Sequence, residues 1–262
     1  MSAVPTRGES EGFIDISGRR LHYRWLSPHL DDTPVVFLHE GLGSVERWKG
    51  FPSEIVRRTG HPGLLYSRYG NGWSEPLHEP RPWDYMHQEA LRSLPEIVDS
   101  LVKRAPILVG HSDGASIALI YAGSGGPVEG LVLLAPHVFV EQETVDQIAS
   151  SLAGFHGSEM LEKMTKYHAE PEMTFRGWAD IWLSPTFRAW NIEEYLAGVV
   201  CPCLLIQGDG DEYGTTRQLD VIEKTVPAPV QRLVVGDAGH SPHLSHPDLV
   251  ADAVHAFVGG LP

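Results

Sequence analysis

The chain has 262 residues, of which 42% are apolar and 21% are charged, and its formal net charge at pH 7 is −14. The length and the even composition predict a single domain over residues 1–262. The acidic balance argues against binding to nucleic acid or to an acidic membrane surface, and no run of about 18 apolar residues could cross a bilayer. Because residues 1–10 lack the apolar stretch of a secretion signal, we expect a cytoplasmic protein. The composition does not indicate an oligomeric state.

Eight segments have the composition of β-strands. In chain order they cover residues 12–17, 20–26, 34–39, 63–67, 106–110, 130–135, 202–208 and 231–235. The first two alternate, which is typical of antiparallel edge strands, whereas most later ones are continuous apolar runs, typical of parallel strands buried on both faces. Helical patterns cover residues 51–59, 84–103, 114–122, 215–225 and 246–258. The sequence therefore predicts an α/β fold, with a mostly parallel sheet of eight strands flanked by helices.

The stretch between the sixth and seventh strands does not continue the alternation of strands and helices. We interpret residues 137–196 as a helical cap inserted over the sheet. The cap is rich in aromatic residues, and Phe139, Trp178 and Trp182 are candidates for contacting an apolar substrate. Packing of the cap against the sheet would explain most of its aromatic positions equally well.

Residues 110–114, with the sequence Gly-His-Ser-Asp-Gly, come directly after the fifth strand and directly before a helical pattern. The order of strand, tight turn and helix exposes the central side chain at the edge of a sheet. The flanking Gly110 and Gly114 would relieve the clashes that such a turn creates. Ser112 is therefore the candidate nucleophile.

A serine hydroxyl needs a base to take its proton, and the base needs a third group to orient it. Asp211 follows the seventh strand and His240 follows the eighth, so both lie at the same sheet edge as Ser112. Asp209 and Glu212 compete with Asp211 for the role of the acid, and either could instead cap a helix or face solvent.

The spacing of His240, His243 and His246 would also suit metal ligands on one face of a helix. However, Pro242 disfavours a regular helix here, and no acidic residues are patterned nearby. We expect no metal and no cofactor.

The negative oxygen of a tetrahedral intermediate needs two backbone N–H donors. Asp113, which follows the nucleophile, would supply one, and the glycine-containing loop after the third strand would supply the other. In that loop Gly41 is the better candidate and Glu40 is the alternative.

Taken together, these motifs resemble the α/β-hydrolase superfamily, in the branch of small capped serine esterases and carbon–carbon hydrolases. The matching segments, within residues 35–258, are HEGLG (39–43), SRYGNGWS (67–74), GHSDG (110–114), GDGD (208–211) and GH (239–240). The resemblance implies the α/β-hydrolase fold, with a cap after the sixth strand and a triad of Ser112, His240 and Asp211 that works without a cofactor.

Glu40 departs from the family pattern, because glycine usually follows the histidine of this loop. A carboxylate beside a developing negative charge would oppose catalysis unless it is paired or turned away. Our hypothesis is that Glu40, which we also count among the candidate substrate contacts, pairs with Arg68 or with a protonated His39.

The sequence thus predicts a serine hydrolase that cleaves a carboxylic ester of a small or medium apolar or aromatic substrate through an acyl-enzyme. The same residues could instead cleave a carbon–carbon bond, a lactone or a thioester. A ligand receptor without activity on the same fold is a further alternative, because a fold does not fix a function. The expected partner is a small-molecule ester.

Overall fold

Eight strands form one sheet in the computed structural model, which describes residues 9–155 and 158–262. The strands are β1 (Glu9–Ile16), β2 (Arg19–Leu26), β3 (Val35–Leu38), β4 (Gly63–Tyr66), β5 (Ile107–His111), β6 (Gly130–Leu134), β7 (Cys203–Gly208) and β8 (Val230–Val235). Their order across the sheet is β1-β2-β4-β3-β5-β6-β7-β8. β2 pairs antiparallel with β1 and with β4, and the remaining pairs are parallel. The predicted sheet, with its antiparallel edge, is confirmed.

The helices predicted over residues 51–59, 114–122, 215–225 and 246–258 agree with the structure to within two residues. The α-helices are α1 (Phe51–Thr59), α2 (Tyr85–Gln88), α3 (Leu94–Ile97), α4 (Asp113–Gly123), α5 (Gln142–Ala153), α6 (Glu159–Met164), α7 (Pro171–Trp182), α8 (Glu193–Leu196), α9 (Arg217–Thr225), α10 (Pro242–Ser245) and α11 (Pro247–Val258). Within residues 9–155 and 158–262, no helix is both long and apolar enough to span a bilayer.

The predicted helix over residues 84–103 is less regular than expected. Two π-helical turns, Glu89–Ser93 and Val98–Val102, follow α2 and α3. Pro95 stands in the first turn of α3 and has no N–H to donate, so the regular hydrogen-bond ladder is interrupted there.

Strand β3 shows how the sheet divides the core into two layers. Val35 and Phe37 pack on the face that α1 and α11 cover, whereas Val36 and Leu38 pack on the opposite face, with α4 and α9. All four side chains are at most 1% exposed. A strand buried on both faces needs apolar residues at every position, which is why this run has no polar member.

The segment between β6 and β7 contains α5, α6, α7 and α8. Its helices pack against different parts of the molecule: α8 packs against α4, whereas α7 packs against α5 and α6. The parallel strands bring the loops after β3, β5, β6, β7 and β8 to one edge of the sheet. The candidate site lies at this edge.

Candidate active site

Ser112 occupies the sharp turn between β5 and α4. Its backbone is in an unusual conformation for a residue with a side chain, with φ 53° and ψ −118°. A Cβ at Gly114 would overlap the carbonyl oxygen of Leu38, and a Cβ at Gly110 would lie 2.6 Å from the Cα of Ala115. Both contacts are with backbone, which cannot move aside, so the turn can form only with glycine at these two positions.

A cavity of about 210 Å³ opens beside Ser112. The predicted site residues on its wall are Glu40, Gly41, Ser112, Trp178, Trp182 and His240. Apolar side chains of Leu42, Ile148 and Met160 line it as well. The structure therefore brings the hydroxyl of Ser112 and the imidazole of His240 to one cavity, together with two aromatic residues of α7.

Asp211 orients the ring of His240 through hydrogen bonds to Nδ1. The two carboxylate oxygens of Asp211 lie 2.8 and 3.0 Å from Nδ1 of His240. The N–H of Tyr213 and the side-chain amide of Gln207 each donate a further hydrogen bond to this carboxylate, at 2.9 and 3.0 Å. With Nδ1 facing the carboxylate, Nε2 is the ring nitrogen left to serve as a base.

The pair of Asp211 and His240 is electrostatically tuned by its surroundings. Burial disfavours the charged carboxylate, but the hydrogen bond and charge of His240 outweigh burial and lower the pKa of Asp211 to about 2. Burial likewise disfavours the imidazolium, yet the hydrogen bond and charge of Asp211 leave the pKa of His240 above its ordinary value. Asp211 is therefore ionised at neutral pH and favours a proton on its partner.

Two other histidines surround His240 and remain neutral. Burial and the nearby charge of His240 lower the pKa of His111 to about 4 and that of His137 to about 3. Nε2 of His111 donates a hydrogen bond to the carbonyl of His240 at 2.8 Å. His137 lines the cavity, with its ring 5.7 Å from that of His240. Only one imidazole at this site is thus set to change charge near neutral pH.

Neither of the two predicted backbone donors has a hydrogen-bond acceptor in the described part of the chain. Asp113 is the first residue of α4, so its N–H has no acceptor within the helix. Among residues 9–155 and 158–262, the N–H of Gly41 meets no acceptor either. The side chain of Asp113 is only 1% exposed and accepts a hydrogen bond from the hydroxyl of Tyr85 at 2.6 Å. The carboxyl group of Asp113 is therefore buried, away from the cavity.

Glu40 is paired, but with neither of the predicted partners, Arg68 and His39. Oε1 of Glu40 lies 3.4 Å from Nη2 of Arg47. Arg68 instead donates to backbone carbonyls, and burial together with the charge of Arg68 lowers the pKa of His39 well below its ordinary value, so His39 is neutral. Burial opposes ionisation of Glu40, but the charge of Arg47 keeps the pKa of this carboxyl below its ordinary value. Glu40 therefore remains a carboxylate on the cavity wall.

Phe139 does not contact the cavity, contrary to the prediction. Its backbone forms a β-bridge with Asn191, and the guanidinium of Arg217 lies 4.9 Å from the centre of its ring. The amide of Gln218 in α9 donates to its carbonyl at 3.2 Å. These contacts hold the start of the segment after β6 against α9.

The three histidines considered as metal ligands face different surroundings. His243 is 3% exposed, and its ring packs 5.4 Å from Trp48 and 5.1 Å from Phe51. His246 interacts through Nδ1 with the hydroxyl of Ser245 at 3.0 Å. No regular helix carries all three histidines: α10 begins at Pro242, where a missing N–H costs nothing, and ends at Ser245, so His240 and His246 lie outside it.

The sheet edge that carries the candidate site falls within a region whose sequence matches a known family. A profile of the alpha/beta hydrolase family matches residues 35–253, which is most of the chain. The chain belongs to the alpha/beta hydrolase family. This α/β hydrolase is also similar to a proline iminopeptidase of Lactobacillus helveticus (strain DPC 4571), with 27% identity over 111 residues. That match covers 42% of the chain and only 37% of the length of the relative.

Two solved structures of low sequence identity resemble this α/β hydrolase along nearly its whole length. The crystal structure of VinJ has a TM-score of 0.78 and 19% identity, and the match covers 97% of this chain and 99% of VinJ. The esterase RhEst1 from Rhodococcus sp. ECU1013 has a TM-score of 0.71 and 18% identity, with coverage of 97% and 100%. At such identities the likeness shows the fold alone.

Sequence reasoning did not select several residues at the site of this hydrolase. His137 and Tyr213 line the cavity from the loops after β6 and β7. Their position after parallel strands is the signal that could have identified them. Arg47 also lines the cavity, but nothing in the local pattern marks it. Arg68 belongs to a quoted motif, and its contacts with the loop after β3 appear only in three dimensions.

Proposed function

We propose that this α/β hydrolase cleaves a carboxylic ester of a small or medium apolar or aromatic substrate through an acyl-enzyme. The observation that supports it is the convergence of Ser112 and His240 on one cavity, with the buried carboxylate of Asp211 hydrogen-bonded to the ring of His240. A nucleophile, a base and a group that orients the base are the parts that acyl transfer requires.

In this proposal, Nε2 of His240 takes the proton of Ser112 as Oγ attacks the ester carbonyl carbon. The carbonyl oxygen becomes negative and binds the N–H groups of Gly41 and Asp113. The tetrahedral intermediate expels the alcohol, which receives the proton from His240, and an ester between the acyl group and Ser112 remains. Water, deprotonated by His240, then attacks the carbonyl carbon of this ester. The second tetrahedral intermediate breaks its bond to Oγ of Ser112, which receives the proton from His240, and the acid is released. Asp211 keeps its proton-free state throughout and stabilises the imidazolium.

The size and lining of the cavity support a small substrate. Its volume of about 210 Å³ is below the roughly 300–1,000 Å³ of drug-sized ligand sites. Trp178 and Trp182 supply an aromatic wall. We propose that residues 137–196 act as the cap over the site, with α7 as the part that contacts the substrate.

The proposal is tested by hydrolysis of p-nitrophenyl acetate and p-nitrophenyl butyrate. We expect turnover by the unaltered protein and a loss of about 10⁶-fold in kcat for Ser112→Ala, as for other serine hydrolases that lose the nucleophile. Ser124→Ala is the control, because this exposed serine directly follows α4 and does not line the cavity, so turnover should be unchanged. Undiminished turnover by Ser112→Ala would refute the proposal, and ligand binding without turnover would favour a receptor.

A second candidate is hydrolysis of an aminoacyl bond, which the ionised Glu40 on the cavity wall favours. A carboxylate beside the donor Gly41 could bind an ammonium group close to the scissile carbonyl. The similarity to a proline iminopeptidase is consistent with this candidate. It predicts that hydrolysis of L-proline p-nitroanilide decreases in Glu40→Gln, while hydrolysis of an N-acetylated aminoacyl ester does not decrease. Equal effects on both substrates would exclude the candidate.

A further inference from the structure

Arg68 lies directly behind the loop that carries the predicted donor Gly41. This arginine follows β4 and is 2% exposed. Its Nη1 donates to the carbonyl of His39, and its Nη2 donates to the carbonyl of Glu40 at 3.1 Å. A buried guanidinium that donates hydrogen bonds to two consecutive carbonyls fixes the direction of both peptide groups.

The carbonyl of Glu40 accepts more hydrogen bonds than any simple turn requires. Besides Arg68, the ring of His39 approaches it at 2.7 Å and the N–H of Gly43 donates to it at 2.9 Å. The tautomer of His39 follows from its other nitrogen. Nε2 accepts the backbone N–H of Arg68 at 3.0 Å, so the ring proton is on Nδ1, which donates to the carbonyl of Glu40.

The contacts to the carbonyl of Glu40 also set the direction of the Gly41 N–H, because both groups belong to the same peptide. Like the other peptide bonds that the structure describes, it is trans, so its C=O and its N–H point in opposite directions. Donors that hold the C=O toward Arg68 therefore turn the N–H of Gly41 away from Arg68. This N–H has no acceptor in the described part of the chain, and Gly41 lines the cavity with Ser112.

Hydrogen bonds to a carbonyl also strengthen the donor on the same peptide. Each bond polarises the amide and strengthens the hydrogen bond that its N–H can donate, by roughly 10–30% in condensed-phase estimates. The donor at Gly41 is thus both pointed and polarised before any substrate arrives. Preorganisation of this kind is the source of oxyanion stabilisation.

We propose that Arg68 is a positioning residue that holds and polarises the Glu40–Gly41 peptide for binding of the oxyanion. This inference rests on the proposed function, because it concerns the negative oxygen formed during acyl transfer. Arg68 does not touch the substrate and acts through the peptide. Its distance of 3.8 Å to Oδ2 of Asp113 places its charge close to the second donor residue as well.

The test compares Arg68→Met with Arg68→Lys in steady-state hydrolysis of p-nitrophenyl acetate. We expect Arg68→Met to lower kcat by about 10- to 100-fold, less than the 10²–10³ of deleting a donor outright, with little change in KM. The affinity for phenylboronic acid, which forms a tetrahedral adduct on a serine hydroxyl, should fall in parallel. Arg68→Lys keeps the charge but presents one ammonium instead of a planar fork, so its kcat should be intermediate.

Arg58→Met is the matched control for loss of a structural arginine. Arg58 is 16% exposed at its side chain and pairs with Glu54, Asp248 and Asp252, on the face of the sheet that α1 and α11 cover. Its removal should lower Tm and leave kcat unchanged. An unchanged kcat in folded Arg68→Met, or a loss of kcat without a loss of affinity for phenylboronic acid, would overturn the inference.

A readout that does not depend on activity separates this inference from the proposed function. In ¹H–¹⁵N spectra, we expect the amide proton of Gly41 to shift upfield in Arg68→Lys relative to the unaltered protein, because its peptide is less polarised. An unchanged Gly41 signal would refute the role of Arg68 even if the protein is an esterase. A shifted signal in a protein that hydrolyses no ester would support the positioning while refuting the proposed function.

Discussion

Replacement of Gly41 by alanine tests the donor loop after β3. A Cβ at this position would overlap Cδ1 of Trp178, lie 2.5 Å from its Nε1 and lie 3.2 Å from Oδ2 of Asp113. The backbone of Gly41 is not in the left-handed region, so alanine adds no torsional strain. The methyl group must therefore displace either the indole or the loop itself.

The structure indicates that the loop would move. Trp178 is 8% exposed and its ring packs 5.8 Å from Phe175 and 6.2 Å from Tyr213, which restricts its rearrangement. A shift of the Gly41 N–H away from the developing oxyanion removes one of two donors. Loss of one such donor costs about 10²- to 10³-fold in kcat, which corresponds to about 2.7–4 kcal/mol of transition-state stabilisation.

The assay is steady-state hydrolysis of p-nitrophenyl acetate with kcat and KM determined separately. Gly50→Ala is the control, because a Cβ there meets nothing within 4 Å. The double variant Gly41→Ala, Trp178→Leu provides room for the methyl group and should recover part of the lost kcat. A kcat for Gly41→Ala equal to that of Gly50→Ala would refute the assignment of this donor.

Two further substitutions probe the charges at the site. In the pH profile of kcat/KM, the activity should fall on the acid side with a midpoint (the acid limb) above the ordinary histidine pKa of 6.5. The reason is that the pKa of His240 is raised and the imidazole must be neutral to act as a base. Asp211→Asn removes the stabilising charge but not the burial, so the limb should move to lower pH and kcat should fall by roughly 10⁴-fold; a limb that stays in place would contradict this. Glu40→Gln should raise kcat for a neutral ester severalfold, because it removes a negative charge near the oxyanion while leaving Arg47. A decrease would show that the carboxylate assists the reaction.

Local chemistry explains how much of the fold could be predicted. The apolar runs predict the buried strands, and the two glycines around Ser112 predict the sharp turn, from only a few residues of sequence each. The expectation that Asp211 and His240 share an edge with Ser112 used only the rule that parallel strands end together. Each of these inferences depends on backbone direction and not on where a particular side chain points.

The incorrect predictions concern side-chain partners that are distant in sequence. Arg68 was a reasonable partner for Glu40 by charge, but its guanidinium is committed to the carbonyls of the same loop. Arg47 reaches Glu40 instead, through a turn whose geometry the sequence does not reveal. Phe139 is an aromatic residue of the kind that lines apolar pockets, but its backbone forms a β-bridge with Asn191 and its side chain does not line the cavity. Such contacts depend on tertiary packing.

The most direct measurement of the central claim is covalent labelling of the protein with a fluorophosphonate, followed by peptide mass spectrometry. The account predicts one adduct, on Ser112, because this residue shares the cavity with His240, whose ring is oriented by Asp211. His240→Ala should label far more slowly and Ser124→Ala, a change outside the cavity, should label normally. An unlabelled but folded protein, or an adduct on another residue that persists in Ser112→Ala, would contradict the account.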